Sequence, residues 1–322
     1  MRPALLDIKV LDLSRILAGP SATQILGDLG ADVVKVEKPG EGDDTRKWGP
    51  PYLTDKDGKN TTESAYYLCC NRNKRSLALD FTTPAGKATL LELVKKADIL
   101  VENYKVGTLA KYGLDYDSLS ALNPRLIYCS LTGFGQTGPE AARAGYDFMV
   151  QGMGGIMSLT GEPDGMPMKT GVAIADLMAG MYATTGILAA LQARTHTNRG
   201  QHIDVSLFDT QLAWLANLGQ YYLTSGRLPP RMGNAHSTIV PYQVFEVADG
   251  HVILAVGNDS QFAKFCEFAN MQAWATDPRF ATNSQRVINR AVLVPLLTEL
   301  MKTKNKARSE EHTSELQSPC NL

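Results

Sequence analysis

The sequence holds no run of apolar residues that approaches the length needed to span a bilayer, so a membrane-embedded role is not expected. It has no surplus of charge either. Lys and Arg number 32 and Asp and Glu 33, a net charge of -1, so no overall field draws the chain to nucleic acid or to a membrane surface, and only a local basic patch stays open. No CxxC pair occurs among the five cysteines, Cys69, Cys70, Cys129, Cys266 and Cys320, which are read as reduced and metal-free. Cys69-Cys70 is a vicinal pair that would alternate faces in a strand. The five histidines have no metal-ligand spacing, and no metal is expected. No GxSxG elbow and no Walker A loop is present, which argues against a serine hydrolase and a P-loop NTPase. Residues 1–7 lack the apolar core of a signal peptide. A cytoplasmic location is expected, with the mitochondrial matrix as the alternative should a presequence be missing. What remains is ordinary folded protein: 322 residues, 44% hydrophobic and 20% charged, with room for two domains.

The last stretch differs from the rest. From Arg308 to Ser318 the residues match the in-frame translation of a common sequencing adapter. Residues 308–322 are therefore read as a non-native tail, His312 and Cys320 are given no role, and the natural chain is expected to depart from this one near Ala307.

Upstream, the punctuation is that of βαβ units. A strand over 8–13 is followed by a helix over 21–29, ended by Gly30, and by a second strand over 32–37. Further strands are expected over 76–80, 98–102, 126–131 and 203–205, with helices over 84–96, 147–159, 174–193 and 207–223. Strands alternating with helices imply a parallel sheet. The helix over 174–193 is apolar almost all round and should be buried. After residue 226 the texture changes. Two alternating runs flank Asp249-Gly250 as a hairpin, and helices are expected over 258–268 and 293–302. The expected domains are residues 1–225, a large α/β domain, and 226–307, a smaller α+β one.

Gly133-Phe134-Gly135-Gln136-Thr137-Gly138 fits GxGxxG after a strand. Pro139 and Gly145 interrupt the helix that a dinucleotide site needs, so the loop is read as one whose backbone closely approaches some other ligand. Asp176 is a lone carboxylate in an apolar helix. Either it is paired or faces a cleft, because an unpaired buried carboxylate is costly, or it caps the helix N-terminus. His236, in a Gly/Asn/Ser loop near the domain boundary, is the histidine best placed to meet a ligand.

Several segments together resemble the class III CoA-transferase family, the group with formyl-CoA transferase and carnitine CoA-transferase. They include Asp12-Leu13-Ser14-Arg15, Gly27-Asp28-Leu29-Gly30-Ala31-Asp32, Gly42-Asp43-Asp44-Thr45-Arg46, Asn71-Arg72-Asn73-Lys74-Arg75, Val101-Glu102-Asn103-Tyr104, the Gly133 loop and the Asp176 helix. The resemblance runs in order from Leu5 to Ala307. It implies a Rossmann-like large domain carrying a smaller α+β domain, and interlocked homodimers when the chain is full length. Because this chain lacks the family's C-terminal part, the polypeptide as written is expected to be monomeric or poorly soluble.

The resemblance implies that Asp176 is the nucleophile, forming an acyl anhydride and then an aspartyl-CoA thioester. Ile16, Leu17, Ala18, Lys38, Leu79, Asn103, Tyr104, Lys105, Lys111, Thr132, Gly133 and Phe134 are implied to bind CoA, with Arg46, Arg72 and Arg75 as further candidates. Gly257, Asn258 and Gln261 lie in the flexible segment implied to cover Asp176, and His236 joins them on the substrate side. The partners are an acyl-CoA donor, expected to be succinyl-CoA, and a free carboxylic acid acceptor, expected to be glutarate or a similar dicarboxylate. The alternatives are a 2-methylacyl-CoA racemase and an inactive CoA-binding subunit. The racemase histidine would fall thirty residues before Asp176, where this chain has Tyr146.

Overall fold

The computed structural model describes residues 2–306, so the tail at 308–322 lies outside the described residues. The chain divides into two compact units. One comprises residues up to Met157 with Lys169–Gly226, and the other Ser158–Met168 with the chain from Arg227 on. Residues 158–168 therefore group with the second unit.

In the first unit the strands are β1 (Lys9–Asp12), β2 (Asp32–Glu37), β3 (Tyr52–Thr54), β4 (Asn60–Ser64), β5 (Lys74–Ala78), β6 (Ile99–Glu102), β7 (Ile127–Thr132) and β8 (His202–Ser206). Six of them form a sheet in the order β5-β2-β1-β6-β7-β8, with every pairing parallel. The two-residue period of a strand explains why the central ones are apolar on both sides. Val10, Ile99, Val101, Ile127 and Cys129 point into one core, while Leu11, Leu100 and Tyr128 point into the core on the opposite face. Ala18–Asp28 and Ile174–Thr197 cover the first face, and Pro84–Val94 and Tyr116–Leu122 the second. β3 and β4 form a separate antiparallel pair, too short and polar to be visible in the sequence. Cys69 closes the short helix Ala65–Cys69 and Cys70 caps it, so the vicinal pair is not in a strand.

From β1 the chain winds outward through β2 to β5, then returns past β1 to β6 and continues the other way. The reversal between β1 and β6 leaves a crevice at the carboxyl ends of those strands, where α/β sheets bind ligands.

The helix Ile174–Thr197 departs from expectation twice. With 24 residues it meets the length and composition of a membrane span, contrary to the reading that no run comes near one. Nor is it buried all round. Its small residues, Ala175, Ala179, Gly180 and Ala183, face the core, whereas Met181 and Tyr182 are 51% and 44% exposed. Small residues on one side permit close packing: a Cβ on Gly180 would lie 2.8 Å from the Ala18 carbonyl oxygen. The helix expected over 207–223 is two, Leu207–Ala213 and Ala216–Ser225, because Ala216 adopts a φ of 45°. That over 147–159 is also two, Asp147–Met153 and Ile156–Leu159, separated by Gly155 at φ 88°.

In the second unit β9 (Tyr242–Val247) and β10 (Gly250–Ala255) form the expected hairpin. Phe245, Phe262, Phe265, Phe280, Leu293 and Leu297 join that hairpin to Asp259–Phe268 and Arg290–Lys302 in one core. Arg286 is wholly buried there. It donates to the Val240 and Phe280 carbonyls and to Asp259, and its guanidinium stacks over Phe262 at 4.3 Å.

Candidate active site

Asp176 is the third residue of Ile174–Thr197, so it stands in the first turn and is not the N-cap. The cap position, Ala173, has no acceptor to offer. The acceptor comes from another helix: Asp147 Oδ1 receives the Ala175 N–H at 2.8 Å and the Asp176 N–H at 3.3 Å. Asp147 is itself held by Gln151, whose Nε2 donates to Oδ2 at 2.7 Å and whose Oε1 accepts the Thr170 N–H at 3.0 Å. The first-turn amides, which would favour an anion, are thus taken by Asp147. Burial, and then the Asp147 charge, push the Asp176 carboxyl up to about 7. A half-buried carboxylate that is substantially ionised at neutral pH, with little hydration to shed, is suited to nucleophilic attack on a carbonyl carbon. Tyr66, in Ala65–Cys69, feels the same charge; burial and Asp176 push its hydroxyl up to about 12.

The residues implied to bind CoA come from distant parts of the sequence, yet nearly all lie just past carboxyl ends of sheet strands. Ile16, Leu17 and Ala18 follow β1, Lys38 follows β2, and Leu79 follows β5. Asn103, Tyr104 and Lys105 follow β6, Thr132 ends β7, and Gly133 and Phe134 follow it. Around the β1–β6 crevice, Asn103 clasps the Arg15 backbone: its Oδ1 accepts the N–H at 2.8 Å and its Nδ2 donates to the carbonyl at 2.7 Å. The Arg15 guanidinium lies 5.2 Å from the Tyr104 ring centre. An open cavity of about 210 Å³ adjoins this edge, lined by Tyr104, Lys105, Leu109, Tyr116, Gln136 and His202 among others. Gln136, which lines the cavity, buries its Nε2 without a hydrogen-bond partner among the described residues, and so does Thr132 its Oγ1 at the end of β7. Glu102, at the end of β6, is pushed up to about 7 by burial. Gly133 passes so near Gly145 that a Cβ would meet its Cα at 2.4 Å, an approach of backbone to backbone within the chain, whereas the reading of the loop was of an approach to a ligand.

Other candidates fall elsewhere. Lys111 is exposed in a short turn of helix after β6, and Lys38, though just past β2, is exposed and paired with Glu41 at 2.6 Å. Arg72 and Arg75 lie at the amino edge of the sheet, bound to Asp28 and Asp32, so the topology separates them from the rest. Arg46 is locked between Glu37 and Glu63 against the Tyr67 ring. In the second unit, the Gly257 N–H donates to Gln261 Oε1 at 2.7 Å, and Asn258 Oδ1 caps Asp259–Phe268 by accepting the Gln261 N–H at 2.9 Å. The segment expected to be flexible is therefore a tied-down helix start. His236 accepts the Thr238 N–H on Nδ1 at 3.1 Å and packs against Tyr242. His202 is half-buried between Tyr116 and Tyr128, with Nε2 2.9 Å from Ser130 Oγ. Among the described residues no group of His, Cys, Asp and Glu side chains is arranged to hold a metal ion.

Sequence reasoning missed Asp147 as the partner of Asp176; its only signal was an acid opening a helix just after Gly145. It also missed a buried charge cluster beneath the Ile16 loop, formed by Asp12, Lys35, Asp43 and Lys74. The signal there was a lysine amid the valines of β2.

A model of CoA-transferase family III matches residues 5–322. A succinate–glutarate CoA-transferase of Agrobacterium fabrum is 54% identical over 302 residues, covering 94% of this chain and 75% of that protein. The succinyl-CoA:glutarate CoA-transferase of Homo sapiens is 44% identical over 292 residues, covering 91% of this chain and 65% of that protein. The crystal structure of a CAIB/BAIF family protein from Brucella suis superposes with a TM-score of 0.84 at 53% identity, covering 99% of this chain and 83% of that one. A family model matched over residues 5–322 and a relative at 54% identity over 94% of the chain show where it stands: the chain belongs to CoA-transferase family III.

Proposed function

We propose that this chain moves CoA from an acyl-CoA donor, succinyl-CoA by its relatives, to a free dicarboxylate such as glutarate. The observation that carries the reading is Asp176: one carboxylate, held near neutrality by burial, at the first turn of an apolar helix. Its oxygen attacks the thioester carbonyl carbon and expels CoA thiolate, leaving a mixed anhydride. The thiolate then attacks the aspartyl carbonyl, releasing the donor acid and forming an aspartyl-CoA thioester. The acceptor carboxylate attacks that thioester, and the freed thiolate takes the acceptor's acyl group from the second anhydride. Asp176 returns as a carboxylate, with no net proton change. Both kinds of intermediate hydrolyse readily, so water must be kept out.

CoA lies along the carboxyl edge of the sheet, over Ile16–Ala18, Leu79, Asn103–Lys105 and Thr132–Phe134. The exposed face of Ile174–Thr197, with Met181, Tyr182 and Leu188, fits coverage by a second copy, consistent with a homodimer. Asp176→Ala is expected to abolish CoA transfer from succinyl-CoA to glutarate while CoA binding, followed by calorimetry, persists. Hydroxylamine is expected to trap an acyl group on Asp176 alone. Ordinary turnover by Asp176→Ala would overturn the mechanism, and a carboxylic acid panel identifies the acceptor.

A further inference from the structure

We propose that the buried ions Asp12, Lys35, Asp43 and Lys74 form a positioning clamp for the Ile16–Ala18 loop. The inference rests on reading that loop as part of the CoA site. Lys35 Nζ meets Asp43 at 2.9 Å and Lys74 Nζ meets Asp12 at 3.0 Å, with no side chain of the four more than 2% exposed. Taking four charges out of water is expensive, and well-packed apolar side chains usually serve stability equally well or better. Stability alone does not account for the cluster.

The hydrogen bonds of the cluster point to a task. Lys35 Nζ donates to the Ser14 carbonyl at 2.8 Å. Asp12 accepts the Ser14 N–H at 3.0 Å and the Thr23 hydroxyl at 2.6 Å. Lys74 Nζ donates to the Pro20 carbonyl at 2.8 Å. Both Asp43 oxygens face the Ile16 N–H, at 3.3 and 3.4 Å. Each of the four ions thus bonds to the backbone between Ser14 and Pro20.

Inside that stretch Ile16 has a φ of 71°, in the left-handed region where a β-branched residue is a true outlier. Such strain persists only where the surroundings over-determine it. With the Ile16 amide turned to Asp43, the next amides open the helix Ala18–Asp28, whose first turn no side chain caps. Burial acts against the Asp12 charge, but Lys74, Lys35, Ser14 and Thr23 outweigh it and hold the group down to about 2. Burial opposes the Lys35 charge as well, but Asp12, Asp43 and Glu37 outweigh it and hold that lysine above the ordinary range, whereas burial carries Lys74 below it.

The test is the double variant Lys35→Met with Asp43→Leu, which removes one pair of charges together. It is expected to fold with an unchanged or raised Tm, and to lose about 10- to 100-fold in kcat for CoA transfer, the scale of a small misplacement. Adding Ile16→Gly, which adopts positive φ freely, is expected to recover about threefold or more of the lost kcat. A merely structural pair predicts no such recovery. Full kcat in the double variant, or no recovery with glycine, overturns the clamp.

Should the double variant not fold, Asp43→Asn and Asp43→Ala are compared well below either Tm. Both leave Lys35 without its partner, but only asparagine can still accept from the Ile16 N–H. The clamp predicts a clearly higher kcat for Asp43→Asn, and equal values overturn it. Ile16→Glu separates the two failures. Unchanged kcat and KM there show that the loop is outside the site, which overturns the reading and the clamp with it. An impaired Ile16→Glu beside an active double variant overturns the clamp alone.

Discussion

Asp176 is unfavourable to the fold in the form that reacts, and its pH behaviour follows from that. Its carboxyl is raised from 3.8 to about 7, by burial first and by Asp147 second. The nucleophile is the anion, so kcat is expected to rise with pH through about 7. In Asp147→Asn the second cause is gone while an acceptor for the helix amides remains. The rising limb is then expected to move to lower pH without reaching the ordinary aspartate value, because burial remains. A pH–rate profile of both proteins checks this. The stability sign is the reverse of the usual aspartate case. A carboxyl whose folded pKa exceeds its unfolded one costs stability increasingly as pH climbs from the unfolded value to the folded one. Asp176→Asn is therefore expected to melt at a higher temperature than the parent above pH 7, with the difference gone below the unperturbed 3.8; calorimetry across pH decides. The resemblance puts Tyr146 at the position where a racemase would need a histidine. It is 74% exposed, and a phenol is a poor substitute for imidazole as a proton shuttle. No deuterium is expected at the α-carbon of 2-methylacyl-CoA incubated with the protein in deuterated water. Rapid uptake would favour the racemase.

At the scale of elements, the pairing of Ala18–Asp28 with Ile174–Thr197 matters most, since it sets the Ile16–Ala18 loop against the Asp176 turn. The contact depends on Gly180. Ordinarily, replacing a mid-helix glycine by alanine gains up to about 1 kcal/mol. Here the new Cβ would sit 2.8 Å from the Ala18 carbonyl oxygen and 3.3 Å from Ser21 Cβ, so backbone has to move. Overpacking of this kind costs about 1–3 kcal/mol and outweighs the propensity gain. Gly180→Ala is expected to lower Tm and, by shifting Ala18, to lower kcat as well. A rise in Tm with full activity would show that the helices separate freely. The neighbouring breaks at Gly155 and Ala216 were not legible, because a single positive φ leaves little trace in a window dominated by apolar periodicity.

For the molecule as a whole, the parallel sheet gathers the chemistry. Residues as far apart as Ile16 and Phe134 meet at one edge because every sheet strand points the same way. The same architecture leaves Met181, Tyr182 and Leu188 exposed among the described residues. Met181→Glu with Leu188→Glu is expected to leave Tm nearly unchanged, since exposed substitutions usually fall within about ±0.5 kcal/mol. In the full-length protein, self-association through this face, read by sedimentation velocity, is expected to be lost. A large fall in Tm would instead mean that this face is packed within the monomer.

The alternating strands and helices, the hairpin around Asp249-Gly250 and the lone carboxylate at Asp176 were all legible in the sequence. Each is a local pattern: period two, period 3.6, a turn dipeptide, a charge out of place. Local patterns carry no information about which strand lies beside which. The order β5-β2-β1-β6-β7-β8, and with it the crevice between the Ser14–Ala18 and Asn103–Lys105 loops, was decided by packing. So was the partnership of Asp147 with the Asp176 turn, between two residues 29 apart whose helices meet through hydrogen bonds to the Ala175 and Asp176 amides. The burial of Lys35 was hidden for the same reason. A lysine in a strand reads as solvated until the strands on both sides and Asp43 beyond them close over it, and that closure exists only in the folded chain.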